Sequence, residues 1–180
     1  RGSVKTPEGI KKTVTPRALE VNEIREIVKQ YGTAAENAIE AGFDGVEIHG
    51  ANGYLIDQFI QDGVNKRTDE YGGSLEHRAR FLFEVVEEVI SRIGAGGTGL
   101  RLSPSGITLD VSDSDPVKTF SYIIERLNDH PLAYLHIMEP YKDVSHLPHY
   151  LQHGEVTPYY RKIYKGVLMT NGKFDADSGE

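Results

Sequence analysis

The chain has no cysteine and no tryptophan, and 2 of its 180 residues are methionine. Without thiols there is neither a disulfide framework nor a thiolate metal site, which suits a cytoplasmic protein. A basic surplus is missing too: 20 lysines and arginines face 27 aspartates and glutamates, a formal charge of -7. Nucleic-acid backbones and anionic membranes reward a clustered positive face, so neither is an expected partner. No apolar run approaches the roughly 20 residues that span a bilayer, and no signal-peptide core stands at the N-terminus. Low-complexity tracts and repeats are also lacking.

What remains is globular material, 38% hydrophobic and 26% charged, enough for one core and one domain over residues 1–180. The first residue is Arg1 and the last six are DADSGE, so both ends read as cuts in a longer chain.

Periodicity switches repeatedly between helical and extended, the pattern of βα units on a parallel sheet. From Asn22 to Glu40, Ile24, Ile27, Val28, Tyr31, Ala35, Ala38 and Ile39 recur at helical spacing, and Gly42 is a left-handed stop. Ser74 is an N-cap for a second long helix with a stripe of Leu82, Val85, Val86, Val89 and Ile93, broken at the glycines of 94–99. A third helix is expected over 116–128 and a short one over 158–164. Strands begin near 44, 99, 132 and 166, spacings that suit crossover helices and exclude hairpins. Eight such units in about 250 residues make a (β/α)8 TIM barrel, so four strands correspond to about half of one. A small open α/β sheet is the alternative.

Side chains on a strand alternate faces. In VEIH, Val46 and Ile48 share one face, Glu47 and His49 the other; in LRLS, Arg101 and Ser103 oppose Leu100 and Leu102. With the apolar set against the helices, Glu47, His49 and Arg101 point inward. A buried carboxylate and guanidinium are tolerable together, which predicts a Glu47–Arg101 pair.

The stretch VEIHGANGYL crowds His49, Asn52 and Tyr54 at the carboxyl end of that strand, the edge where barrel active sites are built. If a helical turn follows, Asn52 lies over His49 while Tyr54 is rotated roughly 140° away. Two converging donors suit a carbonyl oxygen on which charge develops, and a separate phenol can deliver a proton elsewhere. The plainer reading has His49 and Asn52 satisfying loop backbone and Tyr54 packing.

GVEIHGANGYLIDQF, then NKRTDEYGGSLEHRARF, then GLRLSP resembles the Old Yellow Enzyme family of FMN-dependent ene-reductases. The likeness runs from about Thr15 to Phe174 and implies a (β/α)8 barrel of which this chain covers four central units, with three strands expected before Arg1 and one after Glu180. It implies that His49 and Asn52 bind the oxygen of an α,β-unsaturated carbonyl or nitro compound, a small-molecule substrate. Hydride would come from reduced FMN, replenished by NAD(P)H, with Tyr54 protonating the α-carbon. It also implies that Arg101 stands beside the flavin and that Gly172 and Lys173 wrap its phosphate. His77 stands where the family usually has asparagine, and MTNGKF matches the family's glycine-rich turn loosely. As a half barrel the chain exposes two sheet edges, so further segments of the same barrel are expected partners and the isolated chain is expected to be inactive.

Other signals carry less. Gly94–Gly99 matches the dinucleotide glycine pattern formally, but it follows a helix and precedes a strand, the reverse of what that motif requires. His146, His149 and His153 flank Pro148 in a loop without a placed carboxylate, so no metal is expected. The tyrosines near 141–164 read as packing, and His136 as an inward-facing core histidine with its hydrogen bonds met. Two competing readings stay open: a barrel lyase or isomerase acting on a phosphorylated substrate, and a non-catalytic remnant.

Overall fold

The computed structural model describes residues 3–12, 14–106, 109, 111–141, 143–172 and 174–177. Strands β1 (Ser3–Thr6) and β2 (Gly9–Lys12) form an antiparallel hairpin. There follow α1 (Val21–Glu40), β3 (Val46–Gly50), α2 (Leu55–Ile60), α3 (Leu75–Ile93), β4 (Thr98–Leu102), α4 (Pro116–Arg126), β5 (Tyr134–Met138), α5 (Val156–Arg161) and β6 (Leu168–Asn171). Strands β3 to β6 lie side by side in chain order, and each neighbouring pair is parallel. The four strands fall where the periodicity places them; the hairpin and α2 do not figure in the sequence reading.

Local chemistry sets the element boundaries. Helix α1 ends before Gly42, whose φ of 93° favours glycine. Helix α3 begins at Ser74, whose hydroxyl accepts the His77 N–H at 3.2 Å, and stops at Gly94 with φ 82°. Asp115 caps α4 by accepting from Lys118 N at 3.1 Å, and Pro116 follows in the first turn, where its missing N–H costs nothing. Helix α5 starts at Val156, two residues earlier than expected. The buried Glu139 carboxylate accepts from Gly154 N at 2.9 Å and Thr157 N at 2.8 Å, which begins the helix ahead of Pro158.

Ile48, Leu100, Leu102, Leu135 and Ile137 are all buried and face the helices. Helices α1 and α3 close this side, with Tyr31 edge-on to Phe81 at 6.3 Å between ring centroids. Near the carboxyl ends of the strands, Arg78 of α3 pairs with Asp113 at 2.9 Å, their side chains 8% and 1% exposed. Asp113 also accepts from Thr119 Oγ1 and Asp115 N, each at 2.9 Å, so this one carboxylate ties the segment before α4 to α3. Among the described residues no helix is long and apolar enough to cross a membrane.

Candidate functional site

The inner face of the sheet carries the polar residues. In register, His49 lies beside Arg101 and Arg101 beside His136, while Glu47 lies one layer lower, beside Gly99. The expected Glu47–Arg101 pair is therefore not formed. Glu47 Oε2 instead meets His136 Nδ1 at 2.9 Å, and His136 Nε2 meets Asn171 Oδ1, also at 2.9 Å. Arg101 Nη2 donates to the same Asn171 oxygen at 3.2 Å. Because that oxygen also faces Nε2, this ring nitrogen carries a hydrogen. Parity alone put Glu47 and Arg101 on one face; the register separates them by a layer and brings in Asn171, two strands from Arg101. His136 is thus inward-facing with both ring nitrogens satisfied, as expected.

Gly99 makes room in the lower layer. A Cβ there would stand 2.4 Å from the Tyr134 ring, so the ring rests over the bare backbone and reaches Glu47. Burial, and then the Glu47 carboxylate, push the Tyr134 phenol up from its ordinary value.

At the carboxyl edge His49 is half-buried and Tyr54 is 56% exposed, their ring centroids 5.4 Å apart at 51°. No helical turn links them. Asn52 has φ 59° and Gly53 φ 76°, two consecutive left-handed residues, and Tyr54 is the N-cap of α2. The expectation that the phenol stands apart from His49 is corrected accordingly: the reversal brings the Tyr54 ring to the His49 ring. Asparagine tolerates the left-handed region better than most residues, which is why the reversal can occur there. Desolvation, and then the nearby Arg101 charge, hold the His49 pKa below its ordinary value, with Glu47 opposing them. A neutral imidazole next to a fixed cation can donate one hydrogen bond to an oxygen without adding a second charge.

Gly172 follows β6 with φ 125°, and a Cβ there would stand 2.8 Å from the Glu139 carbonyl oxygen, so only glycine fits. Its carbonyl accepts from His153 Nε2 at 2.9 Å. Lys173 lies outside the described residues. Sequence reasoning missed Asn171 and gave His153 no contact, although both stand in or beside stretches already singled out. Among the described residues no cluster of three or more histidine, aspartate or glutamate side chains forms a metal site.

The model of the NADH:flavin oxidoreductase / NADH oxidase family matches residues 2–180. The chain belongs to this family. Relatives include 12-oxophytodienoate reductase 7 of Oryza sativa subsp. japonica, 48% identical over 175 residues, and 12-oxophytodienoate reductase 1 of the same organism, 47% identical over 165. Each match covers 91% of this chain but only 44% and 43% of the relative, so the chain spans less than half their length. Among solved structures, the old yellow enzyme homologue from Zymomonas mobilis superposes with TM-score 0.87 at 39% identity, over 97% of this chain and 49% of that one. Morphinone reductase in complex with tetrahydroNAD superposes with TM-score 0.84 at 40% identity, over 97% and 47%. These neighbours are Old Yellow Enzyme-type TIM barrels, so the parallel sheet seen here is half of a (β/α)8 barrel.

The inner face of this family member fits a flavin. Arg101 Nε is buried without a partner among the described residues, as is Asn52 Oδ1. A guanidinium with a free N–H can meet the carbonyl edge of a planar ring.

Proposed function

We propose that the whole protein is an FMN-dependent oxidoreductase that reduces activated C=C bonds of α,β-unsaturated carbonyl or nitro compounds at the expense of NAD(P)H. The observation that carries this reading is the carboxyl-edge constellation: His49 and Tyr54 with rings 5.4 Å apart, the left-handed turn at Asn52, and Arg101 in register beside His49. Family membership favours it over the lyase or isomerase alternative.

When bound, FMN supplies the hydride that NAD(P)H delivers. Arg101 would hold the flavin ring and Gly172 would lie by its phosphate. His49 and Asn52 would donate hydrogen bonds to the substrate oxygen, stabilising the negative charge that builds there. Tyr54, exposed beside His49, would then give its phenolic proton to the α-carbon. Water reaches this edge easily in the chain alone, so exclusion of solvent falls to the remaining barrel segments. The lack of cysteine accords with a cytoplasmic site of action.

The first test compares visible spectra of this chain and the full-length protein after incubation with FMN and removal of the unbound flavin by desalting. A flavin band in the full-length protein is expected, and its absence there sinks the reading. In that protein Tyr54→Phe should slow cyclohexenone reduction by about 10²–10⁴-fold, the usual worth of a positioned general acid. An unchanged rate removes Tyr54 from the proton step.

A further inference from the structure

Resting on that reading, we propose that Asp57 is a positioning residue whose buried carboxylate holds the left-handed turn at Asn52 and Gly53, and so aims Asn52 and Tyr54 at the substrate. Asparagine followed by glycine takes two consecutive positive φ values more readily than other pairs, and the contacts around the turn select that conformation and hold its orientation. Gly53 N donates to Asp57 Oδ2 at 2.8 Å, and Gln61 Nε2 to Asp57 Oδ1 at 2.7 Å. Ser103 also lies by this carboxylate and favours its ionised form. Ser103 Oγ in turn accepts from Asn52 N at 2.9 Å. Gln58 Nε2 completes the set by donating to the Gly53 carbonyl at 2.6 Å.

Two donors therefore converge on Asp57, from the Gly53 backbone and from Gln61 at the end of α2, with Ser103 just past β4 beside them. An ionised carboxylate offers each of these donors its own oxygen and accepts from them more strongly than a neutral group does. The carboxylate is 1% exposed, Gln61 2% and Ser103 1%. Among the described residues no cation is hydrogen-bonded to Asp57. The charged group facing it is Asp113, which opposes ionisation and already pairs with Arg78. Burial, with Asp113 adding to it, pushes Asp57 up to about 6. An uncompensated buried charge is a poor way to hold a fold together. It is a good way to fix the Gly53 amide, which a neutral group holds less firmly.

The two roles separate on opposite signs. A structural carboxylate, when replaced by asparagine, lowers stability and ligand affinity together. A positioning carboxylate held ionised against its environment loses affinity but no stability, because the variant no longer buries a charge. The experiment uses the FMN-loaded full-length protein and two variants, Asp57→Asn and Ser103→Ala. The probe is cyclohexanone, which offers a carbonyl oxygen but no reducible double bond, followed by the change it makes in flavin absorbance. Asp57→Asn should weaken probe binding about tenfold and kcat/KM for cyclohexenone by about 10–100-fold, with a thermal midpoint at pH 8 equal to or above wild type. Ser103→Ala should weaken binding less. As pH falls through about 6 the wild-type advantage over Asp57→Asn should vanish; His49 titrates in both proteins and cancels in the ratio. Equal affinity in wild type and Asp57→Asn overturns the proposal, as does a joint fall in affinity and thermal midpoint. The Gly53 amide proton resonance should move upfield in Asp57→Asn whether or not the protein reduces enones, so failure of the enzymatic reading and failure of this inference are told apart.

Discussion

The two faces of the four-stranded sheet are made by alternate residues of the same strands, yet they are built on opposite rules. Toward the helices stand Ile48, Leu100, Leu102, Leu135 and Ile137, buried and apolar. Between them, on the inner face, stand Glu47, His49, Arg101, Tyr134 and His136, polar side chains of which Glu47, His136 and Arg101 are linked through Asn171 by hydrogen bonds. Period-two alternation lets five-residue strands hold the fold with one set of side chains while the other set is free for chemistry. The inner groups satisfy one another, and the orphaned Arg101 Nε and Asn52 Oδ1 mark where a ligand is expected. Mutations should therefore divide by face, costing stability on one side and function on the other.

The sealed side also holds a buried ion pair, Arg78–Asp113, which sets the largest expected effect. Arg78→Ala leaves Asp113, with its side chain 1% exposed, without its cation. Breaking such a buried pair costs about 3–5 kcal/mol. Urea midpoints of the full-length protein check this, against removal of the half-exposed Arg92–Glu36 pair, worth about 1 kcal/mol or less. If the two cost the same, the rim is not held by Asp113.

Next comes the apolar comparison itself. Leu135→Ala removes a fully buried outer-face side chain and should cost about 2–5 kcal/mol. Met169→Ala, on the inner face of β6 and 40% exposed, should stay within about 1 kcal/mol. Equal losses would mean that the inner face carries as much of the packing as the outer one.

The third test uses pH. Asp57 ionises at about 6 in the folded protein against an ordinary value of 3.8. Its folded pKa is raised, so the stability tied to the protonated form is present below the unfolded value and lost as pH rises through the folded one. Relative to Asp57→Asn, wild type should lose about 3 kcal/mol between about pH 4 and about pH 7. Chemical denaturation of both proteins at the two pH values measures it, and a flat difference means that Asp57 is not held ionised against its surroundings.

Much of this was legible in advance where apolar spacing is regular. The stripes of α1 and α3, the cap at Ser74 and the stops at Gly42 and Gly94 stand as read, except that Ile39, counted in the α1 stripe, is exposed. The hairpin was hidden because the GIKK strand is wholly exposed and has no buried face to write an alternation. Helix α2 was hidden by its length, six residues directly after a reversal. Site identities were readable from VEIHGANGYL, but their geometry was not. A count at 100° per residue has no place for φ values of 59° and 76° at Asn52 and Gly53, and such values arise from contacts to Ser103 and Asp57, the first of them 51 residues away. The Glu47–Arg101 pairing failed for a related reason: strand parity fixes the face, while only inter-strand register fixes the layer.

The smallest expected effect lies at the foot of the inner face. Glu47 meets His136 at 2.9 Å with side chains 28% and 11% exposed, so the pair is neither sealed nor fully screened. Glu47→Gln keeps an oxygen for His136 Nδ1 and removes only the charge, so His136, Asn171 and Arg101 should keep their places. The stability loss should then be about 1 kcal/mol or less, read from the urea midpoint. Glu47→Leu removes the partner as well and should cost more than Glu47→Gln, because the largely buried Nδ1 is left unpaired. If the two variants cost the same, charge and not hydrogen bonding holds the inner face, and the separation between a packed outer side and a hydrogen-bonded inner side has to be redrawn as one between apolar and ionic halves of the same sheet.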